Sequence, residues 1–228
     1  MSTFKQLQDD IIFFSQELQN EHDYNLTVIK RFINRGYYDF VKKTKCIEDI
    51  VDITSVAKQV SYTATDAANL AFVYTPYEVR FIQNGVTERG DKLTPYPGGH
   101  DGLPDNYEYG TPTHYWTRGV HTRAEFELGT YPIDSASGNT IRVYAYMFPL
   151  ADLSADADQP LMKDAWQDAL VNYTLWKLFM TWQHKNQEWG KKALFYKAEY
   201  DNNIQETALT MFTDSDDDLP AIRDYYQD

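Results

Sequence analysis

The chain has 228 residues, 43% of them hydrophobic and 24% charged, which fits one large folded domain or a core with an inserted lobe and excludes wholesale disorder. The net charge of −13 argues against a protein that grips nucleic acid by neutralising phosphates, although an acidic wall keeps a passing polyanion mobile. The single cysteine, Cys46, excludes an intrachain disulfide, and no run of about 18 apolar residues predicts a membrane span.

Ser2 or Thr3 is placed to cap a first helix, where Phe4, Leu7, Ile11, Phe14 and Leu18 form one apolar stripe at steps of three and four. The polar stretch Gln19–Asp23 reads as a turn. A second helix is expected from about Asn25 to Lys43, with Val28, Ile29, Phe32, Ile33, Tyr37, Phe40 and Val41 at helical spacing. Gly36 inside it costs about 1 kcal/mol relative to Ala, and a close helix crossing would explain it. Alone, Cys46 reads as a small buried hydrophobe rather than a nucleophile.

Beyond Cys46 the texture turns strand-like. Glu48 to Ile53 alternates polar and apolar, and 59–63, 70–74 and 77–83 are short strand candidates rich in Val, Tyr and Phe. Pro and Gly punctuate Tyr96–Pro104 too densely for regular structure, so a long exposed loop is expected there. Ala124, Phe126 and Leu128 alternate with Glu125 and Glu127. Ile141, Val143, Ala145 and Met147 alternate with Arg142, Tyr144, Tyr146 and Phe148. With the turn-forming 134–139 between them, these two runs predict an antiparallel hairpin.

Segment 151–160 is acidic and irregular. Helical spacing then returns, first with Trp166, Ala169, Leu170, Tyr173, Trp176, Lys177 and Met180. After Asn186 it continues with Trp189, Ala193, Tyr196, Tyr200, Ile204, Ala208 and Met211. An acidic linker, Asp214–Pro220, leads to the apolar-aromatic segment Ala221–Tyr226, of a kind that frays or docks on a partner. The expected fold class is α+β: a helical bundle from both ends of the chain with an inserted antiparallel β module, a small sandwich or barrel. The expected domains are helices in 1–46, the β module in 47–150, helices in 151–212, and linker with docking segment in 213–228.

No pattern of catalysis competes with that layout. His100, His114 and His121 lack the close spacing of zinc ligands. Ser135 and Ser137 flank Gly138 as turn formers, not in a Gly-x-Ser-x-Gly elbow. Gly98-Gly99 has no helix after it to cradle a phosphate, and Glu125 and Glu127 read as the solvated face of a strand. Asp216–Asp218 lacks the Gly and distal Glu of an EF-hand. No cofactor or metal is expected. The 18 Tyr, 12 Phe and 5 Trp suit either surfaces buried on assembly or a Tyr-rich β core. Lys30, Arg31, Arg35, Lys42, Lys43 and Lys45 crowd the second helix, and Lys191 and Lys192 open the last. They form either a solvated face or a docking surface for an acidic partner.

The order of several short motifs resembles tailed-phage head-to-tail adaptor proteins over about residues 28–205. Phe32-Ile33-Asn34-Arg35-Gly36-Tyr37 with Val41–Cys46 is similar to their "I-N-x-A-y-x-x-i-x-x-x-T" helix. Gly110–Trp116 resembles a "G-x-P-x-x-Y" strand entry. Phe126–Pro132 with Ile141–Tyr146 resembles "i-x-L-y-P-x-P … i-x-l-x-Y". Ala165–Met180 and Lys191–Tyr200 are similar to the closing helices. Gly36 stands where Ala is usual, Pro132 lacks a second Pro, and the Tyr96–Tyr109 loop stands apart from the pattern.

The resemblance implies a non-enzymatic virion structural protein of the neck, made in the host cytoplasm. Copies form a ring, typically twelvefold, that docks on the portal protein. Genomic DNA passes through without specific binding, and the next neck or tail protein attaches below. On that reading Ile222, Arg223, Tyr225 and Tyr226 dock on the portal. Tyr96, His100, Asp101, Tyr107 and Tyr109 belong to a loop facing a neighbouring subunit or the tail. A rival reading is a carbohydrate- or ligand-binding β module on a helical stalk, with Trp116, Tyr107, Tyr109 and His114 as stacking platform. An enzyme with an unusual site has no triad, dyad or metal pattern behind it.

Overall fold

The computed structural model describes residues 2–22, 24–86, 90–102, 108–121 and 124–213. The chain is α+β and divides into two compact units, Met1–Cys46 with Ala151–Asp228, and Ile47–Leu150.

The first unit holds four α-helices among the described residues: α1 (Phe4–Phe14), α2 (Leu26–Thr44), α3 (Asp168–Trp182) and α4 (Gln187–Thr213). Thr3 caps α1 in a reciprocal capping box with Gln6, satisfying two of the backbone N–H groups that a helix start leaves free. The Phe4 and Lys5 N–H groups donate to the carbonyls of Asp158 and Asp156 (2.7 and 3.1 Å). Phe4, Leu7 and Ile11 are buried as the stripe requires. Phe14 is not, because α1 stops there and a tighter turn at Gln16–Leu18 returns only Leu18 to the core.

Helix α2 begins at the Asn25 cap and buries Ile29, Ile33, Gly36, Tyr37, Phe40 and Val41. The close crossing at Gly36 is real: a Cβ there would lie 2.8 Å from the Tyr173 ring of α3. Helix α3 packs against all three other helices. The single face expected of it is therefore too narrow, since Val171, Leu175, Leu178, Phe179 and Trp182 are buried as well, while Met180 is exposed. A helix surrounded by neighbours is apolar all round. The irregular stretch after Leu150 is stitched to α2. Leu153 N–H donates to Asn34 Oδ1 (2.8 Å), Asn34 Nδ2 donates to the Leu153 carbonyl (2.9 Å), and Leu161 N–H donates to the Tyr37 hydroxyl (2.7 Å).

The second unit contains ten short strands among the described residues. The first five are β1 (Glu48–Thr54), β2 (Ser61–Tyr62), β3 (Val73–Ile82), β4 (Asp91–Lys92) and β5 (Thr94–Pro95). The others are β6 (Tyr109–Gly110), β7 (His114–Arg118), β8 (Glu127–Tyr131), β9 (Ile133–Asp134) and β10 (Thr140–Met147). One sheet runs β1-β10-β3-β4 and a second runs β2-β8-β7-β5, with a small β6-β9 pair beside them. The pairing is antiparallel except for β5–β7 and β6–β9. The two sheets share one core, Val51, Ile53, Val79, Phe81, Ile141 and Val143 from the first meeting Tyr62 and Leu128 from the second. This is a sandwich, with no closed barrel among the described residues.

Two local expectations fail here. Residues 70–74 begin as a 3-10 turn, Ala68–Phe72, and only then enter β3. The hairpin does not form either: β8 pairs with β7 and β2, whereas β10 pairs with β1 and β3. Alternation identified both strands but carries no information about partners. Between them, Ile133–Asp134 pairs with β6, and the chain crosses from one sheet to the other. The crossing is held by a buried carboxylate. Asp134 accepts from Ser55 Oγ (2.6 Å), Asn139 Nδ2 (2.9 Å) and the Ala136 N–H (3.0 Å). The Asn139 N–H in turn donates to Ser55 Oγ (3.1 Å).

Candidate functional site

The loop expected at 96–109 is not free along its described part. The Tyr96 N–H donates to the Tyr115 carbonyl (2.7 Å), and the Tyr96 ring meets His114 and Tyr131 edge-on at 5.7 and 5.0 Å. Gly99–Gly102 makes a 3-10 turn that sets the His100 ring edge-on to Trp116 at 4.7 Å. Asp101 is exposed, 3.3 Å from His100 Nδ1. Tyr109 lies in β6, more than half exposed, with the Lys58 ammonium 5.8 Å over its ring. Tyr107 lies outside the described residues, as do Ile222, Arg223, Tyr225 and Tyr226.

Among the described residues the stacking platform of the rival reading is not assembled. Trp116 is 2% exposed, wedged between His100 and Gly129, its register partner on β8. The His114 ring already faces Tyr96, and its Nδ1 bonds Thr113 Oγ1 at 2.8 Å. Beside them Pro76, Pro95, Tyr96, Tyr115 and Val120 line a cleft of about 180 Å³. Ligand sites run to about 300–1,000 Å³. Among the described residues no three His, Cys, Asp or Glu side chains converge as a metal site. Burial pushes the Cys46 thiol up to about 11, so the thiolate a nucleophile requires is disfavoured.

What the molecule does present is surface. On the first sheet, Ile50 and Tyr77 are nearly half exposed. Tyr77 packs on Tyr146 and Tyr144 at 5.0 and 6.4 Å, and Ile50 is opposite Tyr144 across the β1–β10 pair. Charge pairs rim this aromatic face: Arg142 grips Asp52 through two 2.7 Å bonds, and Glu78 meets Arg80 and Lys92. Burial, followed by the nearby Glu48 carboxylate, pushes the Tyr77 hydroxyl up to about 12. Sequence reading placed 77–83 in a strand without seeing that Tyr77 faces out.

In the helical unit, Leu194, Phe195 and Leu209 of α4 are 67%, 58% and 67% exposed. At 3.6 residues per turn these three fall within roughly 100° of one another, off the buried stripe of Trp189, Ala193 and Tyr200. Their exposure follows from what the rest of the helical unit leaves uncovered, which helical spacing alone does not give. The basic residues divide. Lys192 and Lys191 pair with Glu17 and Glu188, and Lys30 lies 3.9 Å from Asp156. Lys43 bonds Asp39 at 2.8 Å, alongside Arg35 on the same helix.

A two-unit α+β chain with exposed aromatic and apolar side chains has the make-up of a structural assembly component. A family model described as SU10 adaptor protein matches residues 2–223, and the chain belongs to that family of phage head-to-tail adaptors. Membership implies a place in the virion and dealings with portal and tail proteins generally. No curated protein matches the sequence. Among the described residues no helix is long and apolar enough to cross a membrane.

Proposed function

We propose that this chain is a neck component that forms a ring, twelvefold as in the adaptors it resembles. The ring docks on the portal protein, extends the DNA channel and gives tail components their attachment surface. It acts by assembly and turns over no substrate. The observation that carries the reading is the neighbouring exposed pair Leu194 and Phe195 on α4, with Leu209 about 21 Å further along the same side. Large apolar side chains left side by side in water are costly and mark a surface that another protein covers. The Ile50–Tyr77–Tyr146 face of the sandwich supports it with the residue types that anchor interfaces. The net charge of −13 suits a wall past which DNA slides without being held.

Residues Ile222, Arg223, Tyr225 and Tyr226 are the proposed portal contact, and Tyr96, His100, Asp101, Tyr107 and Tyr109 face a neighbour or the tail. Native mass spectrometry of the purified chain with and without portal protein tests this. Leu194→Glu with Phe195→Glu should abolish the oligomer and leave the melting temperature unchanged. Deleting 214–228 should abolish portal binding and leave the fold intact. Wild-type assembly by both variants removes the reading.

A further inference from the structure

One feature of the helical unit stands against the charge of the whole chain. Three lysines gather over an aromatic floor with an arginine beside them. The Lys177 ammonium sits 3.5 Å from the centre of the Trp176 ring and 5.2 Å from that of Tyr173. Lys197 lies 5.7 Å over Trp176, and Lys43 lies 5.3 Å over Tyr200. Arg35 completes the group, close enough that it, Lys43 and Lys197 all act electrostatically on Lys177. Among the described residues two carboxylates answer them: Asp39, bonded to Lys43 at 2.8 Å and accepting from the Tyr200 hydroxyl at 2.6 Å, and Asp201, bonded to Lys197 at 2.6 Å. Among the described residues no carboxylate reaches ion-pair distance of Lys177 or Arg35. Each ring face draws a cation, which helps hold four like charges together. The surface therefore carries surplus positive charge on a chain of net −13.

We propose that this cation cluster receives the carboxylate-rich segment 214–218 of a second copy of the chain. The proposal rests on the self-association reading above. The segment reads Asp-Ser-Asp-Asp-Asp, four carboxylates in five residues, and lies outside the described residues. Opposite charge supplies the recognition. Reach decides whose segment it is. Lys197 and Thr213 stand on one helix, sixteen residues or about 24 Å apart at 1.5 Å per residue. Five extended residues span about 17 Å. The near edge of the cluster, Lys43 over Tyr200, is thirteen residues or about 20 Å from Thr213. Folding back, only Asp217 and Asp218 at full extension could approach that edge, and the run as a group cannot cover the cluster. A neighbouring copy has no such restriction. The linker of one subunit would then lie on the next, and residues 221–226 would be delivered to the portal from a fixed point.

The test uses a fluorescent synthetic peptide of residues 213–228 and the full-length chain bearing Asp216→Asn, Asp217→Asn and Asp218→Asn, which removes competition from the receptor's own segment. Anisotropy should show binding that weakens at least tenfold with Arg35→Glu plus Lys177→Glu. The milder Arg35→Gln plus Lys177→Gln should weaken it less, and raised salt should weaken it too. In native mass spectra, the Arg35→Glu/Lys177→Glu chain should assemble poorly alone. It should be rescued by mixing with a chain carrying Asp216→Lys, Asp217→Lys and Asp218→Lys. Peptide binding unaffected by either pair of cluster substitutions overturns the proposal. So does a duplex DNA oligonucleotide that binds through Arg35 and Lys177 when the peptide does not. An oligomeric chain that fails to bind the peptide overturns this inference alone. A chain monomeric at every concentration removes the ring reading, and the second-copy assignment with it.

Discussion

Gly36 offers the sharpest test of the helical packing. In an open helix face Gly→Ala gains about 1 kcal/mol. Here the added Cβ would lie 2.8 Å from Tyr173 Cδ1, 3.0 Å from Cγ and 3.2 Å from Cβ. Those atoms are the root of the side chain, which cannot swing aside without moving α3. The ring is also held edge-on by Trp176 at 5.5 Å and Tyr200 at 5.2 Å. Overpacking costs about 1–3 kcal/mol, and with the side-chain root unable to yield the upper end, about 2–3 kcal/mol, applies; less the propensity gain, Gly36→Ala should lose roughly 1–2 kcal/mol. For a chain of this size that is a fall in melting temperature of roughly 2–8 °C. Gly190 of α4 is the control. Its added Cβ meets nothing nearer than Gln183 at 3.9 Å, so Gly190→Ala should gain up to about 1 kcal/mol. Four of the five Trp lie in the helical unit, and thermal unfolding followed by Trp fluorescence reports on it. A Gly36→Ala protein that melts at or above wild type refutes the argument.

Three further outcomes follow from the same structure. Gly129→Ala puts a methyl 2.1–2.4 Å from the Trp116 indole and should cost about 3 kcal/mol in urea unfolding; the cost should shrink in a Trp116→Leu background, and strict additivity would contradict the contact. Asp134→Ala strands the buried Ser55 and Asn139 donors and should destabilise the sandwich by roughly 3 kcal/mol, whereas a loss under about 0.5 kcal/mol would mean that the crossing is held elsewhere. With its thiol pushed up to about 11, folded Cys46 is almost wholly protonated at pH 8, so its reaction with Ellman's reagent should quicken about tenfold per pH unit up to about 11 and be far faster in denaturant; equal rates folded and unfolded would show an accessible thiolate.

The family motif of the second helix has a physical meaning that sequence alone does not give. Asn34 holds the backbone of Leu153, Gly36 admits Tyr173, and the Tyr37 hydroxyl accepts from Leu161. Each does structural work inside the helical unit, tying α2 to segments more than 100 residues away in the chain. At Asn34, Gly36 and Tyr37 the motif therefore identifies the family through its packing.

Local chemistry was enough for the helices and for the class of the fold. Side-chain period, a Ser2 or Thr3 cap and the burst of Gly and Pro between 58 and 150 are properties of neighbouring residues, and they need no tertiary information. Pairing is different. Strand alternation could not reveal that β8 and β10 belong to opposite sheets, because the crossing between them is held by Asp134 and Asn139 meeting Ser55 from a distant part of the chain. Nor could helical spacing tell a surrounded helix such as α3 from a one-faced one, or mark Leu194 and Phe195 as exposed. Exposure is decided by what else packs nearby, and only the folded chain fixes that.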